Sequence, residues 1–215
     1  MAQRIAVLDY GMGNLHSVAK ALEHVAPGAS VSVTDDAQTI AAADRVVFPG
    51  QGAAPDCMKE IAAHGLLDVI RRAAQDKPFL GICMGLQVLF EHSEEGDTPC
   101  LGLMGGQVRR FPDARMRDAA GAKLKVPHMG WNNVRQTRPH PLWAGIDDGA
   151  RFYFVHSYYC DPADAALTAG ESDYPFPFTC AVARDNLFAV QFHPEKSAGA
   201  GLRLLQNFIN WDGSR

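Results

Sequence analysis

A cysteine lies between two glycines in Gly81-Ile82-Cys83-Met84-Gly85, after the apolar stretch 78–80 and before Leu86-Gln87-Val88-Leu89-Phe90. The order reads as strand, sharp turn, helix. In a nucleophile elbow of this kind, glycines on either side let the backbone turn sharply, and the side chain between them projects above the sheet. A thiol held there can attack a carbonyl carbon, and its place at a helix N-terminus, where N–H groups lack partners, favours the thiolate. The N–H of Met84 is then placed to hold a developing oxyanion. Core packing also explains a cysteine between glycines, because free Cys is often buried.

A base is available further along the chain. His193-Pro194-Glu195 follows the apolar run 187–190, so it begins where a strand ends, and sheet ends are where α/β enzymes collect catalytic groups. His193 can take the thiol proton, and Glu195 can hold the other ring nitrogen and fix its tautomer. Alone, His-Pro-Glu is an ordinary surface turn. With the elbow it completes a Cys-His-Glu set. A third segment, Phe48-Pro49-Gly50-Gln51-Gly52, follows the apolar run 46–48, and its glycines free the backbone to aim an N–H at a ligand. Gly52 is the expected second oxyanion donor. By itself this segment is a plain Pro-Gly turn.

These groups need a scaffold, and the first half of the chain supplies a pattern for one. Short apolar runs at 5–8, 31–33, 46–48 and 79–82 read as buried strands. Between them, 14–25 places Leu15, Val18, Ala19, Leu22 and Val25 on one helical stripe, and 66–74 can do the same. Such alternation predicts a parallel sheet covered by helices. Past Gly106 the chain turns β-rich, with strands expected in 126–134, 152–159, 180–183 and 188–192. Ser197 is placed to cap a final helix that buries Leu202, Leu205, Phe208 and Ile209.

Composition narrows the function classes. A chain of 215 residues, 47% of them apolar, suits one domain, expected to span 1–215. The formal charge of −4 provides no basic excess for a nucleic-acid backbone. The longest largely apolar stretch, 78–90, is broken by Gly81, Gly85 and Gln87 and is too short to span a membrane. No apolar signal region precedes residue 8, so a cytoplasmic location is expected. Five cysteines, 57, 83, 100, 160 and 180, form an odd set without C-x-x-C spacing, which argues for reduced thiols and against a zinc site.

Taken together, Gly81-Ile82-Cys83-Met84-Gly85-Leu86-Gln87, Phe48-Pro49-Gly50-Gln51-Gly52 and Gln191-Phe192-His193-Pro194-Glu195 resemble the triad, or class I, glutamine amidotransferases. The resemblance implies a flavodoxin-like three-layer α/β fold with a mostly parallel central sheet and a β-rich C-terminal half. It also implies a γ-glutamyl thioester on Cys83, proton transfer by His193, and an imidazole oriented by Glu195. No cofactor and no metal are expected. Gly50, Gln87, Ser157 and Tyr158 match positions that hold L-glutamine. Further likeness, in the segments 9–17, 128–132, 154–159 and 191–197, is to members that pass ammonia to a separate (β/α)₈ cyclase subunit of histidine biosynthesis in a heterodimer. Asn14, Trp131, Tyr153 and Lys196 match positions near that partner. Gln51 departs from the small apolar residue more usual in the family's loop, where the function is mainly the backbone's.

Two other patterns point elsewhere. Gly11-Met12-Gly13-Asn14-Leu15-His16 imitates a dinucleotide-binding fingerprint, but His16 replaces the third glycine, which such a site needs for close helix packing. His128 and His156 lack further ligands at metal spacing and read as hydrogen-bonded structural histidines. A non-catalytic subunit of the same fold is the alternative of another class, and the intact Cys83, His193 and Glu195 set speaks against it.

Overall fold

Alternation of side chains across a parallel sheet feeds two separate cores. The computed structural model describes residues 2–118 and 120–214. Its first half runs β1 (Arg4–Leu8), α1 (Leu15–Val25), β2 (Ser30–Thr34), α2 (Ala37–Ala42), β3 (Arg45–Gly50), α3 (Ala54–Ala63), α4 (Leu67–Asp76) and β4 (Phe79–Cys83). Ile5 and Val7 of β1, Val47 of β3 and Leu80 and Ile82 of β4 point to the face packed by α1. Ala6 and Leu8, Val46 and Phe48, and Phe79 point to the other face, with residues of α2, α3 and α4. Helices therefore cover both sides, as the apolar runs required.

The second half continues the same sheet. After the single helical turn α5 (Met84–Gln87) come β5 (His92–Ser93), β6 (Thr98–Pro99), β7 (Gly106–Arg110), β8 (His128–Asn133), β9 (Arg135–Gln136), β10 (Arg151–His156), β11 (Tyr158–Pro162), β12 (Thr168–Asp173), β13 (Pro177–Arg184), β14 (Leu187–Val190) and α6 (Ala198–Asn210). Among the described residues one twelve-stranded sheet runs β2-β1-β3-β4-β14-β13-β11-β7-β5-β6, with β12 beside β13 and β9 beside β12. The strands from β2 to β14 in this order are parallel, and β13, β11 and β7 follow antiparallel. A separate antiparallel ribbon pairs β8 with β10. It packs its inner face, Phe152 and Phe154 included, on the core that α1 and α6 also share.

Three expectations from the sequence need correction. β2 is an edge strand and not a buried one, with Val33 42% exposed. The segment 152–159 is not one strand: the chain leaves the ribbon at His156 and enters the main sheet at Tyr158, with Ser157 between them. Ser197 precedes α6 but makes no side-chain cap. Its hydroxyl is engaged elsewhere, donating to the His193 carbonyl at 2.6 Å and accepting from the Tyr153 N–H at 3.0 Å.

Candidate active site

The chemistry-bearing segments meet because three neighbouring parallel strands end together. β3 pairs with β4 and β4 with β14, so the loop after Gly50, the residue Cys83 and the segment from Gln191 emerge side by side at the carboxyl edge. Ligand sites of open α/β sheets lie at that edge.

Cys83 has φ 57° and ψ −111°, a backbone conformation that side chains rarely adopt. The turn therefore places its strain on the nucleophile position itself. Gly81 and Gly85 do not carry positive φ, contrary to the torsional role expected of them. They are needed for space. A Cβ on Gly85 would lie 1.8 Å from the Phe48 carbonyl oxygen, and one on Gly81 would lie 2.7 Å from the Gly85 carbonyl oxygen. Gly50 meets the same demand from the other side, since its Cβ would fall 2.3 Å from the Tyr10 hydroxyl and 2.8 Å from the Met84 Cβ. Met84 begins α5, so its N–H has no carbonyl of its own helix to bond.

His193 lies in the same cleft as Cys83, and both are buried. Its backbone is clamped on both sides, the N–H donating to the Tyr153 carbonyl at 2.9 Å and the carbonyl accepting from Ser197. Nδ1 lies 2.9 Å from Oε1 of Glu195, whose side chain is 1% exposed. Burial opposes a charge on the imidazole, but interactions with Cys83 and then Glu195 outweigh it and raise the pKa to about 10. Nε2 is buried without a hydrogen-bond partner of good geometry. Cys83 thus acts on the imidazole as a neighbouring group without a formed hydrogen bond, and at neutral pH the proton on Nε2 is free to move to a reacting atom.

The cleft has a volume of about 230 Å³ and is lined by Gln51, Gly52, Cys83, Met84, Gln87, Glu95, Pro127, Val155, His156, Ser157, Tyr158, His193 and Lys196. That is below the usual range for drug-sized ligands and suits something as small as an amino acid. Of the residues singled out in the sequence, Gly52, Met84, Gln87, Ser157, Tyr158 and Lys196 therefore gather around Cys83 and His193. Gly50 does not line the cleft and serves to let β3 approach the elbow. Asn14, Trp131 and Tyr153 also lie outside the lining. Trp131 and Tyr153 pair across the outer face of the ribbon, with ring centroids 6.1 Å apart.

Two polar side chains here escaped the sequence reading. Glu95 lines the cleft while its Oε2 accepts from the Ala54 N–H at 2.8 Å. In sequence it belongs to Glu94-Glu95-Gly96, which looks like any solvated turn. Gln191 is fully buried, its Oε1 accepting from Gln87 Nε2 at 2.9 Å and its Nε2 lying 3.8 Å from Cys83 Sγ. Only its place two residues before His193 marked it. The side-chain oxygen of Gln87, Oε1, is buried and has no hydrogen-bond partner among the described residues.

Comparison with known proteins identifies the family of the chain. Residues 6–211 match the family described as glutamine amidotransferase class-I. The chain is similar to "Imidazole glycerol phosphate synthase subunit HisH" of Thiobacillus denitrificans, 68% identical over 99% of this chain and 93% of that one. It is similar to the protein of the same description from Aromatoleum aromaticum, 67% identical over 96% and 98% of the two chains. Among solved structures, one described as a glutamine amidotransferase superposes with a TM-score of 0.70 at 17% identity, covering 96% of this chain and 97% of that one. PurLQS from Thermotoga maritima gives 0.67 at 19% identity, over 98% and 99%. At such identities these two structures speak for the fold.

Proposed function

The chain belongs to the class-I glutamine amidotransferase family, and from that premise we propose that it is the glutamine-hydrolysing subunit of imidazole glycerol phosphate synthase, acting in the cytoplasm. One observation supports the chemistry above the others: Cys83, on a strained elbow, shares an amino-acid-sized cleft with a His193 whose far nitrogen is held by Glu195. The assignment to this synthase rests on the relatives that carry its name.

In this function the Cys83 thiolate attacks the γ-carbonyl carbon of L-glutamine, and negative charge collects on the carbonyl oxygen. The N–H groups of Met84 and Gly52 stabilise it. Such donors act strongly because they are fixed before the charge develops. His193 takes the thiol proton on Nε2 and returns it to the departing nitrogen, so the C–N bond breaks and ammonia leaves a γ-glutamyl thioester. Water, deprotonated by the same imidazole, then cleaves the thioester to glutamate and regenerates the thiol. Glu195 keeps the proton on Nδ1 and stabilises the imidazolium.

The rest of the cleft holds the substrate. Glu95 supplies a carboxylate for the α-ammonium group, Gln87 offers its unpartnered Oε1 to substrate N–H groups, and Ser157 and Tyr158 line the same cleft. Gly50 contributes through the backbone of the oxyanion loop. Ammonia passes to a separate (β/α)₈ cyclase, where it reacts with a phosphoribulosyl-formimino-carboxamide ribonucleotide to give imidazole glycerol phosphate and AICAR. Asn14, Trp131, Tyr153 and Lys196 face that partner. The test is to mix the chain in turn with this cyclase and with the synthase subunits of other glutamine-dependent enzymes. Glutamine-dependent product is expected with the cyclase alone, and product only with another synthase would reassign the chain.

A further inference from the structure

Two histidines that the catalytic account leaves unused form a hydrogen-bonded chain that runs from the cleft wall, which His156 itself lines, back into the ribbon. His128 on β8 and His156 on β10 oppose each other across the ribbon, with Nδ1 of His128 2.9 Å from Nε2 of His156. Nδ1 of His156 lies 2.7 Å from the carbonyl oxygen of Tyr158. On the far side, the side-chain nitrogen of Asn132 is 3.3 Å from Nε2 of His128 and also donates to the Asp173 carbonyl at 2.9 Å.

The acceptors fix where the protons are. A carbonyl oxygen can only accept, so His156 carries its proton on Nδ1 and its Nε2 must accept. His128 therefore donates from Nδ1, which leaves its own Nε2 as an acceptor. The Asp173 carbonyl likewise fixes the Asn132 amide with its nitrogen as the donor, and a second N–H of that group serves His128. Every hydrogen in the chain points from Asn132 toward Tyr158. Burial lowers the pKa of His128 to about 4, and burial, partly opposed by the bond to Tyr158, lowers that of His156 to about 3, so both rings are neutral at pH 7. Aromatic neighbours sandwich the His128 ring, with Tyr174 stacked at 4.0 Å and Phe154 5.1 Å away on a near-parallel ring.

The chain ends on the wall of the glutamine cleft. Ser157 is the single residue between β10 and β11, the corner at which the backbone passes from the ribbon to the main sheet. Its carbonyl accepts from the Phe111 N–H at 3.1 Å, and the carbonyl of the next residue is held by His156. Ser157 and Tyr158 both line the cleft. We propose that Asn132, His128 and His156 act as a positioning relay that fixes the Ser157–Tyr158 corner and so sets the affinity for glutamine, tying the cleft wall to the ribbon whose outer face carries Trp131. The relay rests on the glutamine-hydrolysing function proposed above. A tautomer-locked chain suits this task, because a missing link leaves a buried nitrogen unpaired and frees the corner to shift.

The experiment compares wild type, His128→Leu and His128→Asn, each in complex with the cyclase. Leucine removes the donor to His156, and the asparagine side-chain nitrogen can restore it. His128→Leu is expected to raise the KM for glutamine roughly tenfold, as loss of a buried hydrogen bond typically would, with kcat changed much less. His128→Asn is expected to recover most of the loss. An unchanged KM in the leucine variant, or equal defects in both variants, would overturn the relay. Nitrogen-15 spectra of the wild-type imidazoles provide a second measurement should a variant fail to fold: both rings should be neutral with the proton on Nδ1, and a proton on Nε2 of either ring contradicts the proposal. A wild-type complex without glutamine turnover would sink the function itself, whereas normal turnover with an unaltered variant KM would sink only the relay.

Discussion

Cys83 holds a conformation with φ 57° that costs on the order of 1–3 kcal/mol elsewhere in proteins, and it does so while buried at the wall of the cleft. The residues that serve it differ in how much of the reaction depends on each. Loss of the thiol removes the nucleophile, whereas Glu195→Gln leaves a nucleophile and an imidazole in place and should lower glutamine hydrolysis by roughly 10²–10⁴-fold, a shallower defect than that of Cys83→Ala. A deeper loss in Glu195→Gln than in Cys83→Ala would contradict these roles. The same substitution should change the pH profile. His193 is raised to about 10 in part by Glu195, and in the proposed mechanism its protonated form delivers a proton to departing ammonia. Without the carboxylate the imidazolium loses its proton at lower pH, so the alkaline fall of kcat/KM should move toward neutrality. A limb that stays in place or moves upward would exclude Glu195 as the group that supports the charge. At this scale the sequence was legible where residue types announce chemistry. Glu95 and Gln191 were not, because a carboxylate in a turn and an amide just past a strand look alike whether they face water or a cleft.

At the scale of elements, the elbow works because glycine leaves room for it. Gly85→Ala would force a Cβ to within 1.8 Å of the Phe48 carbonyl oxygen, which only a shift of the backbone can relieve. The variant should lose about 3 kcal/mol, or roughly 6–12 °C in Tm for a chain of this size, along with most of its hydrolysis. Gly199→Ala is the contrast. It lies in α6 with nothing within 4 Å of a new Cβ, so thermal unfolding should show a gain of up to about 1 kcal/mol. A Tm for Gly85→Ala equal to wild type would show that close approach is not what the glycine provides. The strands β1, β3 and β4 were readable because residues buried on both faces leave unbroken apolar runs. β2 was read alongside them although Ser32 breaks its run, and the alternation Val31-Ser32-Val33 fits the edge strand it forms. The corner at Ser157 was hidden because apolar alternation passes through it with no glycine or proline to mark the change of sheet. α2 and α3 went unread, the first because it is short and the second because its buried stripe, Ala54, Cys57 and Ile61, holds one large apolar side chain among small ones.

For the whole molecule, the ribbon and the carboxyl edge of the sheet make one surface around the cleft. Met129 is 62% and Trp131 44% exposed on the ribbon's outer face, where Tyr153 pairs with Trp131. In the proposed function these exposed apolar side chains beside the cleft are where the partner docks. Trp131→Ala should weaken cyclase binding by about 2 kcal/mol or more, some thirtyfold in Kd, while leaving the Tm of the free subunit nearly unchanged. Unaltered affinity in a binding titration would move the docking surface off the ribbon. The most direct test of the whole account separates making ammonia from using it. Wild-type and Cys83→Ala chains, each in complex with the cyclase, are supplied with the ribonucleotide and either glutamine or an ammonium salt. The account predicts that the variant complex forms no product from glutamine and forms it from ammonium at the wild-type rate. Comparable glutamine-dependent product from the Cys83→Ala complex would contradict it.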